Sequence, residues 1–173
     1  MDYKAFRFIN QLSGHCRPLD LLMIFISNKI RYVFIFVIIF MWIKKSRYRI
    51  LALNSIFSMG VSFFIYKIIK IFYFKPRPFM NRRVGILIPS KVDSSFPSKH
   101  TILVYAISTT IYLRNRLLGA IMLFLSSLTG FSRIWLGHHY PLDIIGSATI
   151  ASITSYVINQ IGFMDEKNEH TER

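Results

Sequence analysis

The sequence predicts an all-α integral membrane protein: a bundle of five to six helices with an amphipathic helix at the N-terminus. Of its 173 residues, 53% are hydrophobic, more than a soluble domain of this length would bury. Several apolar runs reach the length that spans a bilayer. The single cysteine, Cys16, excludes an intramolecular disulfide, and we interpret it as a small buried apolar side chain.

The N-terminal residues repeat at helical spacing. Phe6, Ile9 and Leu12 recur every three residues with polar residues between them, which predicts an amphipathic helix at the membrane interface within residues 1–17. Pro18 then marks a break or the start of the next helix. Because no basic segment followed by an apolar core opens the chain, we expect no cleavable signal peptide.

Five predicted spans follow from the apolar runs. The third is short for a bilayer unless the membrane is thinned around it. The spans are residues 21–43, 50–70, 98–113, 117–136 and 142–164. Residues 1–164 are therefore predicted to form one membrane-embedded domain, and residues 165–173 a charged cytoplasmic tail.

Polar and small residues interrupt the first two spans. For Asn28, Lys29 and Arg31 we favour snorkelling to one interface. The alternative is that they face the bundle interior and add to an anion site. The second span carries small residues that predict close helix packing, namely Ser55, Ser58, Gly60 and Ser62.

The connectors of a five-span bundle alternate between the two sides of the membrane. Connectors 44–49 and 114–116 then lie with the tail, whereas loop 71–97 and segment 137–141 lie together on the other side. Because short basic connectors face the cytoplasm, the long loop is predicted to face outside and to cover the functional site. Its basic residues violate the usual charge rule, which indicates a function for them: Lys75, Arg77, Arg82, Arg83 and Lys91.

The excess of positive charge indicates which classes of partner to expect. Formal net charge is +14, and four of the eight acids lie in the tail. On a membrane protein this favours anionic membrane lipids or a phosphorylated substrate, and no nucleic acid is expected as a partner. Three charged clusters fall on the predicted outer face: Lys70 with Arg77-Pro78; Pro97-Ser98-Lys99-His100; and Ser132-Arg133 followed by His139 and Asp143.

These clusters resemble the signature of the type 2 phosphatidic acid phosphatase superfamily, which is KxxxxxxRP, PSGH and SRxxxxxHxxxD. All three blocks are present in order and at full spacing across residues 70–143. The chain departs from the signature at Lys99, where the superfamily has Gly. Within the superfamily the chain is similar to the bacitracin-resistance type of undecaprenyl-diphosphate phosphatase, over stretches 74–79, 94–98 and 130–141.

Phosphoryl transfer depends on positioning and on stabilising negative charge. The guanidinium groups of Arg77 and Arg133 match phosphate oxygens, and Lys70 adds a point charge. Ser98 can donate its hydroxyl at the start of a helix, where free N–H groups also favour an anion. The phosphate-binding candidates are therefore Lys70, Arg77, Ser98 and Arg133, with Lys99 and Pro78 as additional candidates.

The catalytic candidates are His139, Asp143 and His100. His139 is the expected nucleophile, and Asp143, four residues later, is expected to accept a hydrogen bond from its other ring nitrogen. His138 is the rival, but Leu142 lies four residues after it and cannot orient an imidazole. His100 is the expected general acid and base because its unperturbed pKa lies near neutrality.

No metal or cofactor is expected, because the surrounding Lys and Arg side chains repel cations and acids are few. The resemblance implies a polyprenyl diphosphate substrate: undecaprenyl diphosphate is hydrolysed through a phosphohistidine at the outer surface of the cell membrane. This reaction recycles the cell-wall carrier lipid and confers bacitracin resistance. Two alternatives stay open, namely phosphatidylglycerophosphate or phosphatidic acid as substrate, and a non-enzymatic module that binds or transports lipid headgroups.

Overall fold

The structure is a computed structural model that describes residues 2–44, 46–81 and 84–171, and its regular elements there are all helical. Arg82 and Arg83 of the predicted basic loop lie outside these residues. The described helices, in chain order, are α1 (Asp2–Asn10), α2 (Arg17–Ile43), α3 (Ser46–Phe72), α4 (Pro78–Asn81), α5 (Lys99–Arg114), α6 (Arg116–Trp135) and α7 (Pro141–Thr171).

The predicted helical bundle is confirmed. Helices α2, α3, α6 and α7 contain stretches long and apolar enough to cross a membrane. Helix α5 has only 16 residues, yet it packs against α3, α6 and α7 in the centre of the bundle. Ile102, Ala106 and Ile111 on α5 are fully buried. A helix this short is accommodated because protein, more than lipid, surrounds it.

Hydroxyl side chains join α5 to its neighbours. The hydroxyl oxygens of Ser108 on α5 and Ser126 on α6 lie 2.7 Å apart. From α7, Ser155 donates to the carbonyl oxygen of Ala106 at 2.9 Å. Small side chains let helix backbones approach closely, and their hydroxyls satisfy polar groups that the apolar interior would leave unpaired.

The predictions for small side chains are confirmed in part. The serines expected to allow close packing of α3 are fully buried, namely Ser55, Ser58 and Ser62. Gly60 does not share in this packing, since a methyl group at Gly60 would meet no atom within 4 Å. Cys16 was expected to be buried and is exposed, because it lies where the chain turns from α1 into α2.

The two ends of the bundle gather different connectors, as the five-span prediction requires. At one end Arg47, from the start of α3, and Arg114 and Asn115, from the α5–α6 connector, line a common cavity of about 410 Å³. At the other end the long loop after α3 meets the short segment between α6 and α7. The second end contains the signature residues.

Helix α1 ties this second end together. Phe6 is buried against side chains of α6 and α7. The side chain of Asn10 donates to the carbonyl oxygens of Gly85 and Trp135, both at 3.0 Å, and accepts from the N–H of Gly85. The predicted amphipathic helix is therefore present. Its buried face packs on protein, and Asn10 fastens the long loop to the end of α6.

Candidate active site

The long loop returns to its own start. The N–H of Ser95 donates to the carbonyl oxygen of Lys75 at 2.6 Å, which places the two ends of the loop side by side. Pro78 begins the short helix α4, where the fixed backbone angle of proline suits the first helical position. Arg77, directly before it, is only 6% exposed. The loop thus holds an arginine inside the protein.

A glycine turn delivers the two histidines. Arg133 lies in the last turn of α6, and Gly137 follows with a φ of +77°. Glycine adopts this left-handed conformation without steric cost. A Cβ at Gly137 would lie 2.5 Å from the carbonyl oxygen of Gly85, so the loop also excludes any side chain there. The reversal places His138 and His139 beneath the loop.

The imidazole of His139 has a defined tautomer. Its Nδ1 lies 2.6 Å from the carbonyl oxygen of Ser95, and a carbonyl can only accept. The proton therefore resides on Nδ1, and the lone pair of Nε2 accepts a hydrogen bond from Nη1 of Arg77 at 3.3 Å. Burial, and then the charges of Arg133 and Arg77, hold the pKa of His139 well below its ordinary value. The ring is thus neutral and chemically suited to act as the predicted nucleophile.

Asp143 does not contact His139 directly, which corrects the predicted pairing. Its carboxylate, 1% exposed, accepts from Lys75 Nζ at 2.6 Å, from the hydroxyl of Ser95 and from the N–H of Tyr140 at 3.0 Å. Asp143 lies on the first turn of α7, and the carbonyl of Ser95 takes the expected place beside Nδ1. Asp143 is therefore linked to His139 through Ser95.

Lys75 neutralises Asp143 and also binds the N-terminal helix. Its ammonium pairs with Asp2 at 3.1 Å, and Asp2 accepts from the N–H of Leu142 at 3.0 Å. Burial alone would lower the pKa of Lys75, but the hydrogen bond and charge of Asp143 outweigh it and raise that pKa. The ion pair therefore persists throughout the neutral pH range.

Arg77 and Lys70 share one carboxylate, which sequence reasoning did not assign to the site. Asp93 accepts from Nε of Arg77 at 2.8 Å, from its Nη2 at 2.7 Å and from Lys70 Nζ at 2.6 Å. Burial opposes ionisation of Asp93, yet the hydrogen bonds from Lys70 and Arg77 hold its pKa below the usual value. One edge of the Arg77 guanidinium is thus occupied, while Nη1 donates to the carbonyl oxygen of His138 at 3.1 Å and lies 3.3 Å from Nε2 of His139.

Arg133 has an unused donor. Its Nη1 donates to the hydroxyl of Ser27 on α2 at 2.8 Å. Its Nε is buried and has no hydrogen-bond partner among the described residues. A buried N–H without a partner costs free energy comparable to a lost hydrogen bond. An anion in the adjoining cavity would satisfy this donor.

These groups surround one cavity of about 860 Å³. Lys70, Arg77, Arg133, His139 and His100 all line it, so the structure brings the three signature blocks together. Lys99 lines it too, and so does the predicted covering loop. The loop contributes Ile88, Pro89, Ser90, Lys91 and Asp93.

Two candidates of the phosphate set lie behind the cavity wall. Ser98 is fully buried; its hydroxyl accepts from Thr101 at 3.0 Å and its N–H donates to Ser147 at 2.7 Å. The structure therefore gives Ser98 a helix-packing contact in place of the predicted cavity contact. Pro78 is buried at the start of α4 and is likewise absent from the lining.

His138, the rival nucleophile, holds the loop. Its Nε2 lies 2.9 Å from the carbonyl oxygen of Ile88, so Nε2 carries the proton and donates. Burial, and then the charge of Arg133, lower the pKa of His138 to about 4. The remaining lone pair is on Nδ1, which is buried and has no partner in the described part of the chain. The contact with Ile88 favours a structural role for His138.

The chain and its fold are similar to those of known membrane phosphatases. Residues 51–167 match the PAP2 superfamily. Undecaprenyl-diphosphatase BcrC of Bacillus subtilis (strain 168) is 37% identical over 162 residues, which cover 91% of this chain and 82% of that protein. The chain belongs to the PAP2 superfamily.

Solved structures give the same PAP2 architecture. The crystal structure of Aquifex aeolicus LpxE has a TM-score of 0.80 at 26% identity, covering 92% of this chain and 94% of that one. A PAP2-type phosphatidylglycerolphosphate phosphatase from Bacillus subtilis has a TM-score of 0.71, covering 95% of this chain and 85% of that one. The latter is only 16% identical and shows the fold alone.

The first span contributes to the PAP2 cavity, contrary to the favoured interpretation. Asn28 and Arg31 line the cavity beside Ser27, although Arg31 stays exposed at its edge. Lys29 is exposed and is not part of the lining, which agrees with snorkelling. Asn28 and Arg31 therefore lie where the alternative places them, and their contact with an anion stays a prediction. Helical spacing separates them from Lys29, since residues three apart share a face.

Three residues of this PAP2 site were not assigned to it from the sequence. Ser95 and Asp93 lie outside the three signature blocks, and Lys75 falls at an unspecified position within the first. Each acts through a contact that joins distant parts of the chain, such as Ser95 with His139. Ion pairing gave one usable clue, because Asp93 is the only acid in the long loop.

No cluster of three or more His, Cys, Asp or Glu side chains that could hold a metal ion is found among the described residues. The absence of a metal requirement nevertheless stays a prediction. Turnover in the presence of excess chelator would test it.

Proposed function

We propose that the protein hydrolyses undecaprenyl diphosphate to undecaprenyl phosphate and inorganic phosphate. The buried imidazole of His139, whose Nδ1 donates to Ser95 and whose unprotonated Nε2 faces Arg77, is the observation that carries this proposal. The similarity to Undecaprenyl-diphosphatase BcrC along most of both chains supports the choice of substrate. The substrate is a membrane lipid, which suits a cavity that opens among membrane-spanning helices.

In the first step, Nε2 of His139 attacks the terminal phosphorus. The bond from that phosphorus to the bridging oxygen breaks, and His100 protonates the oxygen of the departing undecaprenyl phosphate. Attack leaves positive charge on the imidazole, whose Nδ1–H is held by the carbonyl of Ser95. Arg77 and Arg133 stabilise the charge on the equatorial phosphate oxygens, and the unused Nε of Arg133 gains a partner.

In the second step, water hydrolyses the phosphohistidine. His100, now neutral, takes a proton from the water, whose oxygen attacks the phosphorus as the nitrogen–phosphorus bond breaks. Inorganic phosphate leaves, and His139 regains its lone pair. The same imidazole thus serves first as acid and then as base.

Cellular location follows from the same proposal. The active-site end of the bundle faces outward, so that the protein lies in the cell membrane with its tail in the cytoplasm. The short basic connectors at the opposite end support this orientation, because such connectors stay cytoplasmic. Release of the carrier lipid phosphate at that face would return it to cell-wall synthesis and oppose bacitracin.

The test is phosphate release from undecaprenyl diphosphate by the purified protein in detergent, with excess chelator present. Turnover is expected to survive the chelator and to disappear in His139→Ala, while binding of the diphosphate lipid remains. Full turnover by His139→Ala would overturn the mechanism. Faster turnover of phosphatidylglycerophosphate or phosphatidic acid would show that one of these lipids is the preferred substrate. Headgroup binding without hydrolysis by the wild type would show that the protein is a lipid-binding module and not an enzyme.

A further inference from the structure

The cavity carries more positive charge than one transferred phosphate needs. Its lining contains seven cationic side chains, and Asp93 is the only acid among its described lining residues. Asp93 is already paired with Lys70 and Arg77. The cations divide by exposure. Lys70, Arg77 and Arg133 are sheltered, whereas the outer cations are exposed, namely Arg31, Lys67, Lys91 and Lys99.

Two of the outer cations converge on one aromatic ring. The ammonium nitrogens of Lys67 on α3 and Lys99 on α5 lie 5.6 Å and 5.4 Å from the centroid of the Phe63 ring. Neither pairs with a carboxylate in the part of the chain that the structure describes. A cation–π contact leaves the positive charge in place, so the ring positions the ammonium groups without neutralising them.

The position of this pair relates it to the leaving group. Lys67 lies one helical turn before Lys70, so both project from the same face of α3. Lys99 directly precedes His100. The pair therefore adjoins a sheltered phosphate-binding cation on one helix and the proposed general acid on the other. The oxygen that His100 protonates belongs to the group that leaves.

We propose that Lys67 and Lys99 form a subsite for the second phosphate group of a diphosphate, the one that departs with the lipid. The inference rests on the proposed function and adds the residues that separate diphosphate from monophosphate substrates. A lipid monophosphate places no second anionic group at this position. The superfamily signature has Gly where this chain has Lys99, so the subsite includes a cation that the signature does not supply.

The experiment measures binding of inorganic pyrophosphate and of inorganic phosphate to the purified full-length protein by calorimetry, which needs no turnover. In Lys67→Ala/Lys99→Ala, pyrophosphate affinity is expected to fall about tenfold, or about 1.4 kcal/mol, while phosphate affinity stays unchanged. The arginine variant Lys67→Arg/Lys99→Arg keeps both charges and is expected to retain pyrophosphate binding. Turnover of undecaprenyl diphosphate should follow the same order, with the effect mainly on KM.

The matched control is Lys44→Ala. Lys44 also rests on an aromatic ring, 5.0 Å from the centroid of Phe40, but at the opposite end of the bundle. It should leave the affinity for both anions unchanged. Equal losses for phosphate and pyrophosphate, or no loss for either, in the double alanine variant would overturn the subsite. A wild type that binds pyrophosphate through these lysines but hydrolyses no diphosphate lipid would instead refute the proposed function.

Discussion

The imidazole of His139 donates from Nδ1 to the backbone carbonyl of Ser95, 2.6 Å away. A backbone carbonyl can only accept a hydrogen bond, so it fixes the tautomer of the neutral ring. The Ser95 hydroxyl bonds to Asp143 and its N–H to the carbonyl of Lys75, so the residue is held on two sides. The imidazole of His139 is thus oriented by main chain, and the carboxylate of Asp143 stabilises that main chain.

Charge around His139 predicts the pH dependence of kcat/KM. Burial and the charges of Arg133 and Arg77 lower the pKa of His139, so the neutral nucleophile persists below about pH 6.5, the ordinary value. Arg77→Gln removes one of these cations and should raise that pKa. The acid limb of the profile is then expected to move to higher pH, whatever the loss in rate.

Profiles of kcat/KM for wild type and variant measure this shift, because they report the free enzyme. Lys29→Gln removes a positive charge outside the cavity and should leave the limb in place. An unmoved limb in Arg77→Gln would show that His139 does not set it.

The ion pair of Lys75 and Asp143 predicts an unusual stability pattern. Lys75→Met leaves Asp143, 1% exposed, without its cation, and breaking a buried pair costs about 3–5 kcal/mol. The lysine side chain is 26% exposed, so the low end is expected. Adding Asp143→Asn removes the uncompensated charge, and the double variant should be more stable than Lys75→Met alone. Thermal unfolding in detergent provides the comparison, and additive losses would contradict coupling between the two residues.

Removing the charge of Asp93 is expected to lower both KM and kcat. Asp93→Asn keeps the shape but loses the charge that holds the Nε and Nη2 edge of Arg77. Substrate binding should tighten because the cavity becomes more positive, whereas kcat should fall about tenfold because Arg77 is less firmly oriented. Asp93→Glu should restore part of kcat. Asp2→Asn, at a carboxylate that pairs with Lys75 instead, serves as the control, and an unchanged kcat in Asp93→Asn would exclude the orienting role.

His100 predicts a trapped intermediate. His100→Ala should lower turnover of the diphosphate lipid about 10²–10⁴-fold, because the leaving group needs a proton and the water needs a base. A substrate with a good leaving group, such as p-nitrophenyl phosphate, bypasses the first need alone. Phosphohistidine should then accumulate, and acid-labile phosphate on the denatured protein measures it. If His100→Ala releases phosphate from this substrate at the wild-type rate, His100 does not act as the base that hydrolyses the phosphohistidine.

Cys16 offers a native probe of orientation. It is exposed and lies at the start of α2, on the active-site end of the bundle. A membrane-impermeant maleimide should therefore label it in intact protoplasts if that end faces outward. Cys16→Ser is the control for background labelling, and Gly85→Cys in that background tests the long loop. Labelling only after membrane disruption would show that the active-site end faces the cytoplasm.

Apolar run length and signature spacing predicted the bundle and most of the cavity. Runs of this length have few alternatives to crossing a membrane, and alternating connectors bring Lys70, His100 and Arg133 to one end. The contact of His139 could not be predicted the same way. Asp143 follows His139 by four residues, which suggested a direct hydrogen bond between them, but α7 begins between the two residues. A backbone carbonyl occupies the expected place of Asp143, and a sequence pattern does not indicate which carbonyl would do so.

The sequence also predicted poorly whether a single side chain is buried or exposed. Composition suggested a buried Cys16, and helix packing suggested a role for Gly60, but both depend on which side of the element the neighbours occupy. Arg31 and Asp93 are similar cases, since a charged residue near a membrane boundary can snorkel or enter a cavity. Only the three-dimensional arrangement of α2, α3 and the loop decides between the two.

The fastening of α1 bears on how the protein is handled. Asn10 joins the loop to α6, and Asp2 bonds both Lys75 and the first turn of α7. An affinity tag or fusion partner placed ahead of Asp2 would disturb the contact of Asp2 with Lys75, the lysine that neutralises Asp143. Expression vectors should carry their tags behind α7, where the chain leaves the opposite end of the bundle.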